Sequence, residues 1–217
     1  MKKVLCLHGY SMNDGWLGEW IKPLAERVPD VEFIIPCAPI PAPEDEVRAM
    51  CRLFDMPISE RRIGEGKNWC WYRASSDKPP VYQEIEQSLS MLAGIFEANP
   101  EIDGVLGWSQ GTVMAAILAG LKLKAGDERF RFNWLVMCGG FRPGDLRFKS
   151  YFDAPMNIPS LHVIGAKETE FMREQGARLA KSFVDAETLI TPVGHLMPVK
   201  SSEIMGKIAS WVVRAGD

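Results

Sequence analysis

One serine stands where a serine could act as a nucleophile. The segment Val105-Leu106-Gly107-Trp108-Ser109-Gln110-Gly111-Thr112-Val113-Met114 carries an apolar strand pattern into Gly-x-Ser-x-Gly and on into a helical pattern at Val113, Ala116, Ile117 and Gly120. A sharp turn between strand and helix would lift the hydroxyl to the strand tip, and glycines at 107 and 111 would let strand and helix cross without collision. The following helix aims free N–H groups and its dipole at charge developing beside the hydroxyl. That arrangement suits acyl transfer, in which the hydroxyl attacks a carbonyl carbon and an oxyanion must be held.

A hydroxyl is a weak nucleophile without a base, and the chain offers three histidines. His8, in Leu7-His8-Gly9-Tyr10, closes the first strand pattern and suits the holding of a loop. His162 falls within a strand pattern and reads as structural. His195, in Pro192-Val193-Gly194-His195-Leu196-Met197-Pro198, follows the last strand pattern and precedes the terminal helix, where an α/β-hydrolase keeps its base. An acid that fixes the histidine tautomer should follow the penultimate strand. There Gly165-Ala166-Lys167-Glu168-Thr169-Glu170 offers Glu168 first, and we assign the acid to it. Glu170 reads as a solvated residue of the next helix's first turn, and Asp145 and Asp153 lie in the preceding loop. The expected oxyanion donors are the backbone N–H groups of Gln110 and Tyr10, with Gly9 letting the loop His8-Gly9-Tyr10-Ser11 come close. Ser11 reads equally as a side-chain donor or a turn residue.

These residues need a sheet to position them. Short runs rich in Val, Ile and Leu alternate with segments of helical period, the pattern of strand-helix-strand units around a parallel sheet. Six candidate strands are Lys3 to Leu7, Glu32 to Pro36, Gly104 to Leu106, Trp134 to Cys138, Leu161 to Ile164 and Glu187 to Thr191. Apolar stripes at Leu17, Trp20, Ile21, Leu24 and Val28, at Tyr82, Ile85, Leu89, Leu92 and Phe96, and at Ile204, Met205, Ile208, Trp211 and Val212 predict helices whose Trp and Met residues belong to the core. The expected fold is a compact α/β-hydrolase in a single domain, a mostly parallel sheet flanked by helices with no separate cap domain. The spare length is an excursion over 36–80, with a Pro-rich turn, a short amphipathic helix (Val47, Met50, Cys51, Phe54) and an aromatic loop. An excursion of that length reads as a lid or acyl pocket. Trp69, Trp71 and Tyr72, with Trp108 of the motif, are its candidate substrate contacts.

Composition bounds the partners. In 217 residues, 25 Lys plus Arg against 28 Asp plus Glu leave a net charge of −3, which gives no footprint for nucleic acid and favours an uncharged or largely apolar acyl group. No apolar run approaches the roughly 20 residues of a membrane span, and the apolar stretch after Met1-Lys2-Lys3 stops at His8, so a cytoplasmic protein is expected. The five cysteines show no metal-ligand spacing with the histidines and read as reduced, mostly buried thiols.

At Leu5-Cys6-Leu7-His8-Gly9-Tyr10, Trp71-Tyr72, Asp103 to Gly111 and Gly194-His195-Leu196-Met197-Pro198, the sequence resembles the FSH family of serine hydrolases. The resemblance spans essentially the whole chain. It implies a small α/β-hydrolase acting without metal or organic cofactor on esters or thioesters, with Ser109 and His195 as its catalytic pair. The family's acid is usually an aspartate where this chain has Glu168, so a shifted loop must accommodate an extra methylene. The chain is also similar to the acyl-protein thioesterases and related carboxylesterases at His8-Gly9, Asp14-Gly15-Trp16, Pro36-Cys37-Ala38-Pro39 and Ser109-Gln110-Gly111. A third reading, from another class, is a non-catalytic receptor or scaffold on the same fold.

Overall fold

The computed structural model describes residues 1–53 and 67–216. Strand β1 (Lys2–Leu7) leads through helix α1 (Asp14–Ala25) to β2 (Val31–Ile34). The excursion contributes short pieces: β3 (Ile40–Pro41), α2 (Glu44–Leu53), β4 (Trp69–Cys70), β5 (Arg73–Ala74) and β6 (Tyr82–Gln83). Then follow α3 (Ile85–Ala98), β7 (Ile102–Trp108), α4 (Gln110–Lys124), β8 (Trp134–Cys138) and a 3₁₀ turn (Leu146–Phe152). The chain closes with β9 (Ser160–Gly165), α5 (Glu170–Ala180), β10 (Glu187–Thr191) and α6 (Ser202–Gly216).

Six strands form one sheet in the order β10-β9-β8-β7-β1-β2, and every pair in it is parallel. Such a sheet must bury both faces, because its crossover helices cover both. Alternate residues of β1 and β7 accordingly go to opposite cores. Leu5, Leu7 and Val105 pack with α3 and α4, while Val4, Cys6 and Leu106 pack with α1 and α6. Helix α4 is buried from Gln110 through Gly120, so its apolar residues run all round it rather than in a stripe. Because β7 is central and α4 begins at its tip, whatever sits in that turn lies mid-sheet.

Two helix boundaries differ from the periodic patterns. Helix α1 ends at Ala25, just after Pro23, and Val28 is buried in the turn beyond it. Tyr82, spaced as part of α3, belongs to β6. Its N–H donates to Asp145 Oδ2 at 2.7 Å, and Glu84 at φ 61° breaks the backbone before Ile85. Phe54 of the amphipathic pattern, and the Gly-rich loop after it, lie outside the described residues. The five cysteines are free, and four of them are buried. Among the described residues no helix is long and apolar enough to cross a membrane.

Candidate active site

Ser109 occupies the turn between β7 and α4 at φ 54° and ψ −114°, a conformation that an L-residue adopts only under constraint. The constraint is visible. Its N–H donates to Cys138 O at 2.9 Å, and its carbonyl accepts from Thr112 N at 2.9 Å. A Cβ on Gly107 would come within 2.5 Å of Gly111 O, and one on Gly111 within 2.0 Å of Leu7 O. Strand and helix therefore cross closely enough that both flanking positions admit glycine alone.

His195 Nε2 lies 2.9 Å from Ser109 Oγ, and its Nδ1 lies 3.1 Å from Glu168 Oε1. An ionised carboxylate can only accept, so Nδ1–H donates to Glu168 and Nε2 is left to accept from the serine hydroxyl. Two loops are joined to make this contact. Ala166 N donates to Thr191 O at 2.8 Å and Lys167 N to Val193 O at 3.0 Å, extending the β9–β10 pairing past the strand ends. Gly165 permits it, since a Cβ there would meet Gly194 O at 2.3 Å. Gly139, at φ 59°, brings the end of β8 against the pair, and a Cβ on it would lie 3.1 Å from the His195 ring and 3.3 Å from Glu168 Oε1. The Glu168 side chain is 3% exposed and that of His195 20%, so the carboxylate is sealed while the imidazole opens to the cleft. The Trp108 ring packs 5.3 Å from that of His195 and is met edge-on by Trp20 at 4.8 Å.

The other carboxylates stand apart. Glu170 is exposed at the start of α5, behind the cap Thr169. Asp145 caps the 3₁₀ turn and pairs with Arg147 at 2.8 Å, and Asp153 ends that turn. The other histidines are engaged elsewhere. Ala38 N–H donates to His8 Nε2 at 2.9 Å, which leaves Nδ1–H to donate to Gly9 O at 2.8 Å. Burial pushes the His8 pKa down to about 4. His162 is buried 3.2 Å from Ser160 Oγ, and burial lowers it likewise to about 4.

Tyr10 and Gln110 both border the cavity beside Ser109, and neither backbone N–H is taken by a hydrogen bond among the described residues. Close approach of the Tyr10 loop rests on Gly9, where a Cβ would meet the Trp108 ring at 2.3 Å. Ser11 takes the turn role, at φ 60°, and its carbonyl accepts from Asn68 Nδ2 at 2.8 Å. The Tyr10 hydroxyl donates to Glu46 Oε2 at 2.7 Å. The Gln110 side chain also pins the excursion to α4, because its Oε1 accepts from Trp71 N and its Nε2 donates to Tyr72 O, each at 2.8 Å.

The cavity over Ser109 measures about 1040 Å³. Of the aromatic residues singled out as substrate contacts, Tyr72 and Trp108 line it and Trp69 and Trp71 do not. Trp71 is fully buried, with its indole N–H donated to His8 O at 2.8 Å. Trp69 pairs its N–H with Met12 O and packs on the core. Residues not foreseen as lining include Trp20, Phe141, Arg142, Phe171 and Met172. Trp20 reads as core because its spacing is that of a buried stripe. The rest follow β8 and β9, and the signal that could have found them is their place just past the carboxyl ends of parallel strands, where open α/β sheets bind ligands. Among the described residues no group of three His, Cys, Asp or Glu side chains is placed to hold a metal ion.

A wholly parallel six-stranded sheet with a strained serine at the strand-helix turn mid-sheet is that of an α/β-hydrolase. Solved structures agree: that of Arabidopsis thaliana SOBER1 superposes with a TM-score of 0.64 at 15% identity, over 100% of this chain and 99% of that one. A carboxylesterase from Mesorhizobium loti gives 0.60 at 13% identity, over 96% and 88%. Residues 1–206 match the model of the family described as serine hydrolase (FSH1), and the chain belongs to that family. Human esterase OVCA2 is 28% identical over 212 residues, covering 93% of this chain and 91% of its own. An esterase of Anopheles gambiae is 30% identical over 205 residues, covering 92% and 73%.

Proposed function

We propose that this serine hydrolase cleaves carboxylic esters or thioesters of a largely apolar acyl group. One observation carries the reading: the unbroken line from Ser109 Oγ through His195 to the sealed Glu168 carboxylate, opening on a cavity walled mainly by aromatic and aliphatic side chains. Ser109 attacks the carbonyl carbon while His195 Nε2 takes its proton, and Glu168 holds the tautomer and stabilises the imidazolium. The Gln110 and Tyr10 N–H groups hold the oxyanion. The alcohol or thiol departs with the proton from Nε2, and water then attacks the acyl-enzyme by the same route. The whole chain works as one domain, with α2 and the Tyr72 segment of the excursion supplying part of the acyl wall. Relatives that bear the name esterase point the same way.

A fluorophosphonate probe should label the folded protein stoichiometrically, and Ser109→Ala should abolish labelling. The same variant should lose turnover of aryl esters by roughly 10⁵–10⁶-fold with its circular dichroism unchanged. Turnover near the wild-type level would remove Ser109 from the reaction, and absence of labelling would favour a receptor. A matched panel of acyl esters and thioesters, compared as kcat/KM, ranks the two leaving groups.

A further inference from the structure

Of the described residues lining the cavity, Glu46 and Arg142 are the Asp, Glu, Lys or Arg residues, and their charges are not equally matched. Glu46 is satisfied. Its Oε1 accepts from Arg73 at 2.7 Å and its Oε2 from the Tyr10 hydroxyl at 2.7 Å. Arg142 has no carboxylate among the described residues. Its Nη2 donates to Phe152 O at 2.9 Å and the guanidinium lies 5.2 Å from the Phe152 ring, which fixes its position without neutralising its charge. Nε and Nη1 have no acceptor among the described residues, and neither is sealed from solvent.

A second unused donor lies on the same cavity. Tyr72 and Tyr82 are nearly fully buried and stacked at 3.9 Å between centroids. The Tyr82 oxygen accepts from Gly144 N at 2.7 Å. The Tyr82 O–H itself has no acceptor among the described residues. Gly144, which ties this pair down, is two residues from Arg142.

We infer that Arg142 and the Tyr72–Tyr82 pair form an anion subsite, and that the favoured ester carries a carboxylate on its apolar chain. This rests on the reading of Ser109 as nucleophile and narrows its substrate class. The Nε–H and Nη1–H groups can each give a carboxylate oxygen a charge-assisted hydrogen bond, and a mostly apolar wall strengthens the attraction. Among the described residues the wall holds a single Arg and no Lys, which suits a monoanion better than a phosphate. Arg142 is three residues from Gly139, where a Cβ would lie 3.1 Å from the His195 ring, and three residues reach at most about 11 Å. Half-esters of graded chain length therefore sample the span between the scissile carbonyl and the guanidinium.

The test compares phenyl half-esters of adipic, suberic and sebacic acids with phenyl hexanoate, octanoate and decanoate. An octanoyl ester of 4-hydroxybenzoate places the carboxylate on the leaving group instead. For at least one chain length or side, the carboxylate-bearing ester should show the higher kcat/KM. Arg142→Gln should cut the ratio of charged to neutral kcat/KM by about 10–100-fold, and Arg142→Lys should restore part of it. Preference for the neutral ester in every pairing, or a ratio unmoved by Arg142→Gln, overturns the inference; the second outcome leaves Arg142 as a staple to Phe152. Calorimetry of suberate binding to the Ser109→Ala protein, lost on adding Arg142→Gln, keeps the subsite testable without turnover. Suberate binding in a protein that hydrolyses no ester would then fault the nucleophile and not the subsite.

Discussion

Glu168 and Glu170 are two residues apart, yet one reaches His195 and the other faces water. The difference comes from where β9 ends. Glu168 is held in the turn beyond Gly165, its N–H donating to Gly165 O at 3.2 Å and its carbonyl accepting from Arg173 Nη1 at 2.5 Å, so its side chain is directed inward. Two residues later α5 has begun, and Glu170 lies on its solvent side with favourable but weak interaction with the helix dipole. Glu168→Gln should therefore lower kcat by roughly 10³–10⁴-fold with little change in Tm, because an amide of the same shape can hold the wrong tautomer. Glu170→Gln should stay within about threefold of wild type, because water screens its carboxylate. Steady-state kinetics on an aryl ester decide the matter, and a larger loss from Glu170→Gln would move the acid role to that residue.

At the scale of elements, the β7–α4 junction sets the site, and its glycines separate two uses of the residue. A Cβ at 111 meets the backbone carbonyl of Leu7 at 2.0 Å, which no side-chain adjustment relieves, whereas a Cβ at 94 in α3 or at 206 in α6 meets nothing within 4 Å. Gly111→Ala should cost more than about 2 kcal/mol or prevent folding. Gly94→Ala and Gly206→Ala should each stabilise by roughly 0.5–1 kcal/mol, raising Tm by about 1–4 °C, because alanine restricts the unfolded chain and favours the helix. Differential scanning calorimetry of the three variants checks the ordering; a Gly111→Ala protein as stable as wild type would contradict the close crossing. This junction was legible in the sequence because its signals agree: a strand pattern, two glycines at fixed offsets and a helical pattern. The six strand patterns all correspond to strands of the parallel sheet, and His195 could be placed from its position between the last strand and the last helix. Tyr82 was misplaced because its spacing from Ile85 and Leu89 satisfies a helix as well as it does a strand leading into one. Arg142 was invisible because the loop after β8 has no period, and only the fold shows that it faces the same space as Ser109. Trp71 was read as a contact because aromatic loop residues invite it. Its indole instead closes a hydrogen bond to the β1 loop.

At the scale of the whole molecule, the fold keeps two neutral imidazoles inside it, and this ties global stability to pH. His8 joins the β1 tip to the excursion through Ala38, and His162 sits on β9 with its ring 5.3 Å from that of Phe183. Protonating His8 at Nε2 would set a second donor against the Ala38 N–H from which that nitrogen now accepts; His162 would carry its charge into an apolar layer. Burial holds both near pKa 4 in the folded state, against 6.5 when unfolded. Below 6.5 the unfolded chain binds the more protons, so unfolding is favoured as pH falls. Their contribution is complete above pH 6.5 and lost as pH drops from about 6.5 to about 4, by at most on the order of 3 kcal/mol for each histidine. Asp127 and Asp145 have carboxyls held below their usual 3.8, so their loss falls at lower pH and does not mask the histidine step. Tm should therefore be flat above about pH 7 and fall steadily toward pH 4.5. In His162→Gln the slope in that window should be about half as steep, because one of the two proton-binding differences is gone. A Tm that holds constant from pH 7 to pH 4.5, or a slope unaltered by His162→Gln, would show that these imidazoles are not what couples the fold to pH.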